Sequence, residues 1–198
     1  MEAIWEKADG ILQIIGLLIG ALIVIKFYMP YFTKKYKAYI IGGTYFSVMV
    51  LLYMIPIGMS SALAYAFGIM ALLTVSITIE PVNIPQKVFL AVNVYMLRWI
   101  AGGAALFLWD FICAVTFQNP RVESGTFGQL VLFIAASSVN ILISGGALFA
   151  QTYLVNRVYL KKNERMAWKE LALLLSPYLA IMMGYWFSSF LSDAYAKD

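Results

Sequence analysis

The stretch Val88–Phe117, VFLAVNVYMLRWIAGGAALFLWDFICAVTF, is apolar along nearly its whole length, yet it carries two charges, Arg98 and Asp110. At about 1.5 Å of rise per residue it can cross a bilayer whose hydrocarbon core is roughly 30 Å thick. Its uncharged pieces, Val88–Leu97, Trp99–Trp109 and Phe111–Phe117, are each too short to do so alone. A spanning helix here therefore takes a charge into the membrane in any register. If Lys87 marks the cytoplasmic surface, Arg98 lies about 16 Å deeper and Asp110 emerges near the outer surface. An arginine near the midplane costs roughly 3 kcal/mol on insertion scales, so it normally faces protein or water and has a partner. Asp110 is too far along the same helix to pair with it. The candidates that remain are Asn93, Asn140, the hydroxyls of the fifth apolar stretch, backbone carbonyls, water or an anionic group from outside the chain. Two readings stay open: an arginine held for structure, and one that serves a ligand or a conformational switch.

The rest of the chain has the same character. Of its 198 residues 63% are hydrophobic and 12% charged, there is no histidine, and the mean hydropathy is +0.83. These values lie far from a soluble domain. Apolar stretches near residues 10–29, 39–57, 60–80, 88–117, 129–155 and 167–191 predict six transmembrane helices, because backbone polar groups in lipid must be satisfied within the segment. The expected fold is all-α: a polytopic integral membrane protein, one six-helix transmembrane domain over residues 1–198. No stretch is left for a soluble catalytic domain. The amino-terminal MEAIWEKADG is acidic rather than basic, so the first apolar run reads as a retained span and not a secretory signal.

Basic residues separate between alternate connections. Lys34, Lys35, Lys37, Lys87, Arg157, Lys161, Lys162, Arg165 and Lys169 fall on one side, and Lys7, Arg121 and Lys197 on the other. The positive-inside rule puts the first group in the cytoplasm and both termini outside. The net charge of +4 is explained by this orientation, so nucleic acid is not an expected partner. Phe27, Tyr28, Tyr31, Phe32, Tyr36 and Tyr39 read as an interfacial aromatic belt, and Lys26 can snorkel to the same depth. Membrane lipids are the expected partner; the basic YLKKNER loop could also hold anionic headgroups.

Helices in lipid associate through small residues and interhelical hydrogen bonds. Ser61, Ala64, Gly68, Ala71, Val75 and Thr78 form such a stripe, as do Ser176, Ala180, Gly184 and Ser188. Gly16 and Gly20 make a GxxxG, a spacing also compatible with a homodimer. The fifth stretch differs: Ser137, Asn140, Ser144 and Gln151 lie along one face, which should look inward as a hydrogen-bonded seam or as a cavity lining.

Much chemistry is excluded. Without histidine there is no HExxH site and no histidine-based triad, and Asp110, the only aspartate within a span, cannot form an aspartyl dyad alone. Cys113 is the only cysteine and lacks a base. Neither an enzyme nor a cofactor is expected.

Two segments, IPQKVFLAVNVYMLRWIAGG (Ile84–Gly103) and MAWKELALLLSPYLAIMMGY (Met166–Tyr185), resemble the membrane sensor regions of GHKL-type bacterial histidine kinases, relatives of the agr-type peptide-pheromone receptors. The resemblance implies a multi-helix module that detects an extracellular signal. The chain departs from the family in having no phosphorylatable histidine and no GHKL ATP-binding domain. The expected function is a receptor or sensor module for an extracellular peptide or small amphiphile, with Arg98, Asn93, Asn140, Ser137, Ser144, Gln151 and Asp110 as ligand-binding candidates. The alternatives are a small transporter, or transporter subunit, for an anionic solute, and a purely structural role.

Overall fold

A computed structural model describes residues 2–54, 61–116, 127–159 and 165–195. The described residues form six long helices, α1 (Glu2–Tyr28), α2 (Lys35–Met54), α3 (Ser61–Ile79), α4 (Ile84–Thr116), α5 (Phe127–Tyr159) and α6 (Trp168–Tyr195), plus a 3-10 turn at Met29–Tyr31. No strand occurs among them. Each helix overlaps one apolar stretch. α1 differs most, starting at Glu2 rather than near residue 10, since nothing before Gly10 breaks a helix. α1 gives way to the 3-10 turn at Pro30, which has no amide hydrogen to donate to the carbonyl four residues back and whose ring crowds that carbonyl. Pro177 is accommodated within α6, whereas Pro56 lies outside the described residues.

Five helices close a ring. α1 packs on α2 and α5, α2 on α3, α3 on α4, and α4 on α5, while α6 lies outside the ring against α4. The surface of the bundle is apolar where that of a soluble protein is polar, and a few polar groups lie inside. Phe107, Leu142 and Met183 are exposed, whereas Asn93, Ser76, Thr152 and Lys87 are buried. Outward hydroxyls are satisfied locally: Thr44, Thr74, Thr78 and Ser138 each donate to the carbonyl four residues back. That is the solution open to a hydroxyl with no water nearby. Three helical stretches among the described residues, Lys7–Tyr31, Lys35–Met54 and Phe133–Val158, are long and apolar enough to cross a membrane. The exposed apolar surface and these stretches together mark a helical membrane protein.

One end of the bundle is basic and tightly tied. Lys37 at the start of α2 pairs with Glu80 after α3 at 2.6 Å. Asn83, in the left-handed region with φ 56°, accepts from the Met166 amide at 3.1 Å. Tyr31 donates to Asn156 Oδ1 at 2.8 Å. Lys87 departs from the sequence reading: it does not mark a solvated surface but is fully buried, with Nζ 3.7 Å from the centroid of the Phe32 ring. The chain after α1 folds Phe32 over it, and Glu80 lies close enough to supply opposite charge.

The half of the ring nearest this end is solid. Val24, Phe27, Tyr28, Ile41, Leu72 and Leu90 fill it, each 2% exposed or less. Two glycines allow the helices to approach. A Cβ on Gly42 would collide with Ile25 of α1, and one on Gly68 would fall onto the Tyr95 ring. Gly68 is thus the working member of the α3 stripe. In α6 the expected small-residue packing is not used: Ser176, Ala180 and Gly184 are exposed, because α6 meets the bundle through Leu171 and Tyr178 instead. Gly16 and Gly20 face the ring's own helices, so this GxxxG is occupied within the chain.

Candidate functional site

Arg98 projects from α4 into the ring, not toward lipid or headgroups. Its Nη1 donates to the Tyr45 hydroxyl of α2 at 2.9 Å, and its Cζ lies 5.9 Å from the centre of the Tyr45 ring. Gly20 of α1 makes this meeting possible. A Cβ there would stand 3.3 Å from the Tyr45 hydroxyl and 3.4 Å from Arg98 Nη1, inside ordinary contact distance. The Tyr45 ring is fixed in turn by Tyr95 at 5.8 Å, and Tyr95 by an edge-on contact with Tyr65 at 6.0 Å.

Above this floor, toward the amino-terminal half of α1, the helices part. A cavity of about 400 Å³ lies between α1, α3, α4 and α5, lined by Gln13, Gly16, Gly20, Tyr65, Arg98, Gly102, Ala105, Asn140, Ile141, Ser144, Gly145 and Leu148. Residues without side chains, or with short ones, create the space on three of the four helices. A second lobe of about 150 Å³ shares Gln13, Gly16, Arg98, Asn140, Ile141 and Ser144 and adds Ser137 and Asp9, which carries it toward the start of α1. Asp9 is within 3.5 Å of the Tyr53 hydroxyl of α2.

The lining is short of partners. Among the described residues the one ion pair is Lys37–Glu80, so no described carboxylate pairs directly with Arg98, the nearest in the lining being Asp9 at the far end of the second lobe. A guanidinium has five N–H donors, and Tyr45 is the acceptor found for one of them. Asn140 Oδ1 is buried with no hydrogen-bond partner among the described residues. Ser144 donates to the Ile141 carbonyl at 3.1 Å, which leaves its oxygen able to accept. The cavity can therefore offer a cationic fork, an amide and hydroxyls to a group carrying negative charge or carbonyl oxygens, within partly apolar walls.

Four of the residues singled out in the sequence, Arg98, Ser137, Asn140 and Ser144, meet here. Asn93 does not. It is buried against α6, accepting from the Tyr178 hydroxyl and donating to the Phe89 carbonyl at 2.7 Å. The reason is geometric: five residues of helix separate it from Arg98, which turns it about 140° away. Gln151 follows Ser144 along α5 but lies beyond the cavity, past Leu148, and its buried Oε1 has no partner among the described residues. The side chain of Asp110 lies outside the described ones, as does that of Cys113. Sequence reasoning missed Tyr45, Gln13 and Tyr65. Tyr45 left a signal, since a tyrosine mid-way along an apolar helix gains from a partner for its hydroxyl. No family model, curated protein or solved structure matches the chain.

Proposed function

We propose that the chain is a receptor-like membrane module with six spans, both termini outside and the basic end in the cytoplasm of a bacterium. It binds an extracellular peptide or small amphiphile in the Arg98 cavity, in the manner of the GHKL-kinase sensor regions it resembles. The observation that carries this reading is the one-ended shape of the site. The cavity runs from Asp9 down to Arg98 and stops there, because the half of the ring below is filled by buried apolar side chains. A blind, half-polar pocket suits retention of a ligand better than passage. Arg98 would orient a carboxylate or carbonyl-rich end, Asn140 and Ser144 would complete its hydrogen bonds, and the apolar wall would take the rest. Ligand contact with Arg98 would compete for Tyr45 and so bias the packing of α2 against α4.

Transport of an anionic solute, with Arg98 as counter-charge, is the second reading, favoured by the position of that residue near the middle of the ring. A dansyl-labelled medium-chain carboxylate separates the two in proteoliposomes. The receptor reading predicts saturable binding without flux, weakened by Arg98→Gln while assembly is retained. Saturable uptake would support transport instead. Binding curves identical for wild type and Arg98→Gln would remove the arginine from either mechanism.

A further inference from the structure

A second recess lies at the basic end, between α1 and α5, and shares no lining residue with the Arg98 cavity. It has a volume of about 730 Å³. Among the described residues its charged groups are Lys26 and Arg157, both exposed, in the last turns of α1 and α5, and no described carboxylate lines it. Lys26 Nζ sits 5.1 Å from the centre of the Phe149 ring, and Phe149 stacks on Tyr153 with 6.4 Å between centroids. Two of the polar neighbours, Asn156 and Thr152, are already committed. Asn156 accepts from Tyr31 and faces the Phe27 carbonyl with its amide at 3.4 Å, and the Thr152 hydroxyl donates to Leu148 at 2.9 Å. Two cations are left, above a floor of Ile23, Phe27 and Met29.

We infer that this groove is a binding site for an anionic phospholipid, held by its phosphate between Lys26 and Arg157 with an acyl chain along the apolar floor. Charge complementarity sets the sign of the headgroup, since among the described residues two positive groups face the recess and no negative one does. The surroundings select a lipid rather than a soluble anion. The adjoining faces of α1 and α5 carry Leu22, Leu154 and Val158, 64%, 56% and 85% exposed, a surface that lipid covers and water does not favour. Aromatic rings beside cations at a helix end are also what headgroup depth selects. The site stands whether or not the Arg98 cavity takes a ligand.

Native mass spectrometry of the full chain, delipidated in detergent and titrated with phosphatidylglycerol or phosphatidylcholine, tests the assignment. Wild type should prefer phosphatidylglycerol. Each charge removed should weaken that lipid ~5-fold, and Lys26→Gln/Arg157→Gln ~30-fold. Lys34→Gln/Lys35→Gln, which removes two exposed charges of the same end outside the groove, should keep the preference. So should the charge-preserving Lys26→Arg/Arg157→Lys, and excess inorganic phosphate should not compete. The assignment is overturned if wild type shows no preference, if the Lys26/Arg157 pair keeps it, if the Lys34/Lys35 pair loses as much, or if free phosphate displaces the lipid.

Discussion

The Arg98–Tyr45 contact is the joint on which the ring's interior turns, and a double-mutant cycle measures it. Tyr45→Phe removes the hydroxyl and keeps the fully buried ring against Tyr95. Arg98→Met keeps much of the stem and removes the charge. A hydrogen bond to a charged group contributes about 1.5–3 kcal/mol. Here the donor lines a cavity of about 400 Å³, roomy and polar enough for water to replace part of what is lost. The coupling should therefore sit at or just below the low end of that range, about 1–2 kcal/mol. Tyr45→Phe alone should cost about the same, because it strands a guanidinium donor. Arg98→Met alone should cost less than the coupling, since removing the cation also removes the penalty of holding it in the bilayer. Unfolding in mixed micelles, followed by far-UV circular dichroism for the four proteins, gives the cycle. A coupling below about 0.3 kcal/mol would show that the two side chains act independently, and the reasoning from the 2.9 Å contact would fail.

Other consequences are more local. Gly68→Ala should destabilise by about 1–3 kcal/mol in the same assay, because the added methyl displaces the Tyr95 ring, whereas Gly43→Ala should leave stability level or raise it by up to ~1 kcal/mol. A Cβ on Gly43 would meet nothing within 4 Å, so equal losses at the two sites would refute the packing of α3 on α4. Glu80 adds a pH dependence. Burial pushes its carboxyl up, but hydrogen bonds from Lys37 and Thr33 and the charge of Lys87 outweigh this and hold it below its usual value of 4.5. The folded state thus binds its proton less readily than the unfolded one, so the Glu80 contribution is complete above that value and is lost as pH falls through the lowered one. Glu80→Gln should flatten the acid limb of the stability profile; an unchanged limb would show that the pair with Lys37 contributes nothing.

Much of the fold was legible because membrane solvent imposes simple rules: apolar stretches of spanning length become helices, and a stranded charge turns inward. Arg98 obeyed the second rule, and the three- and four-residue spacing of Ser137, Asn140 and Ser144 placed them on the face that meets it. What could not be read was which helix stands opposite which. Periodicity gives the direction of a side chain but not its neighbour, so Tyr45 went unnoticed while Asn93, on another face of α4, was placed beside Arg98. Depth is the other blind spot. Gln151 shares a face with Ser144, yet it lies past Leu148, where the ring has already closed. The α6 ladder failed for a related reason: small residues permit close packing, but they do not require a partner on their side.

Water access along α5 tests the existence of the Arg98 cavity most directly. In a Cys113→Ala background, cysteines are placed singly at Ser144, which lines the cavity, and at Leu142, 68% exposed on the outer side of the same helix. Both are treated in intact membranes with anionic and cationic thiosulfonates. Ser144→Cys should react, the anionic reagent faster than the cationic one, with the difference shrinking in Arg98→Gln, while Leu142→Cys stays unlabelled in lipid. Labelling at Leu142 with none at Ser144, or rates indifferent to reagent charge, would contradict a water-filled pocket with Arg98 at its floor.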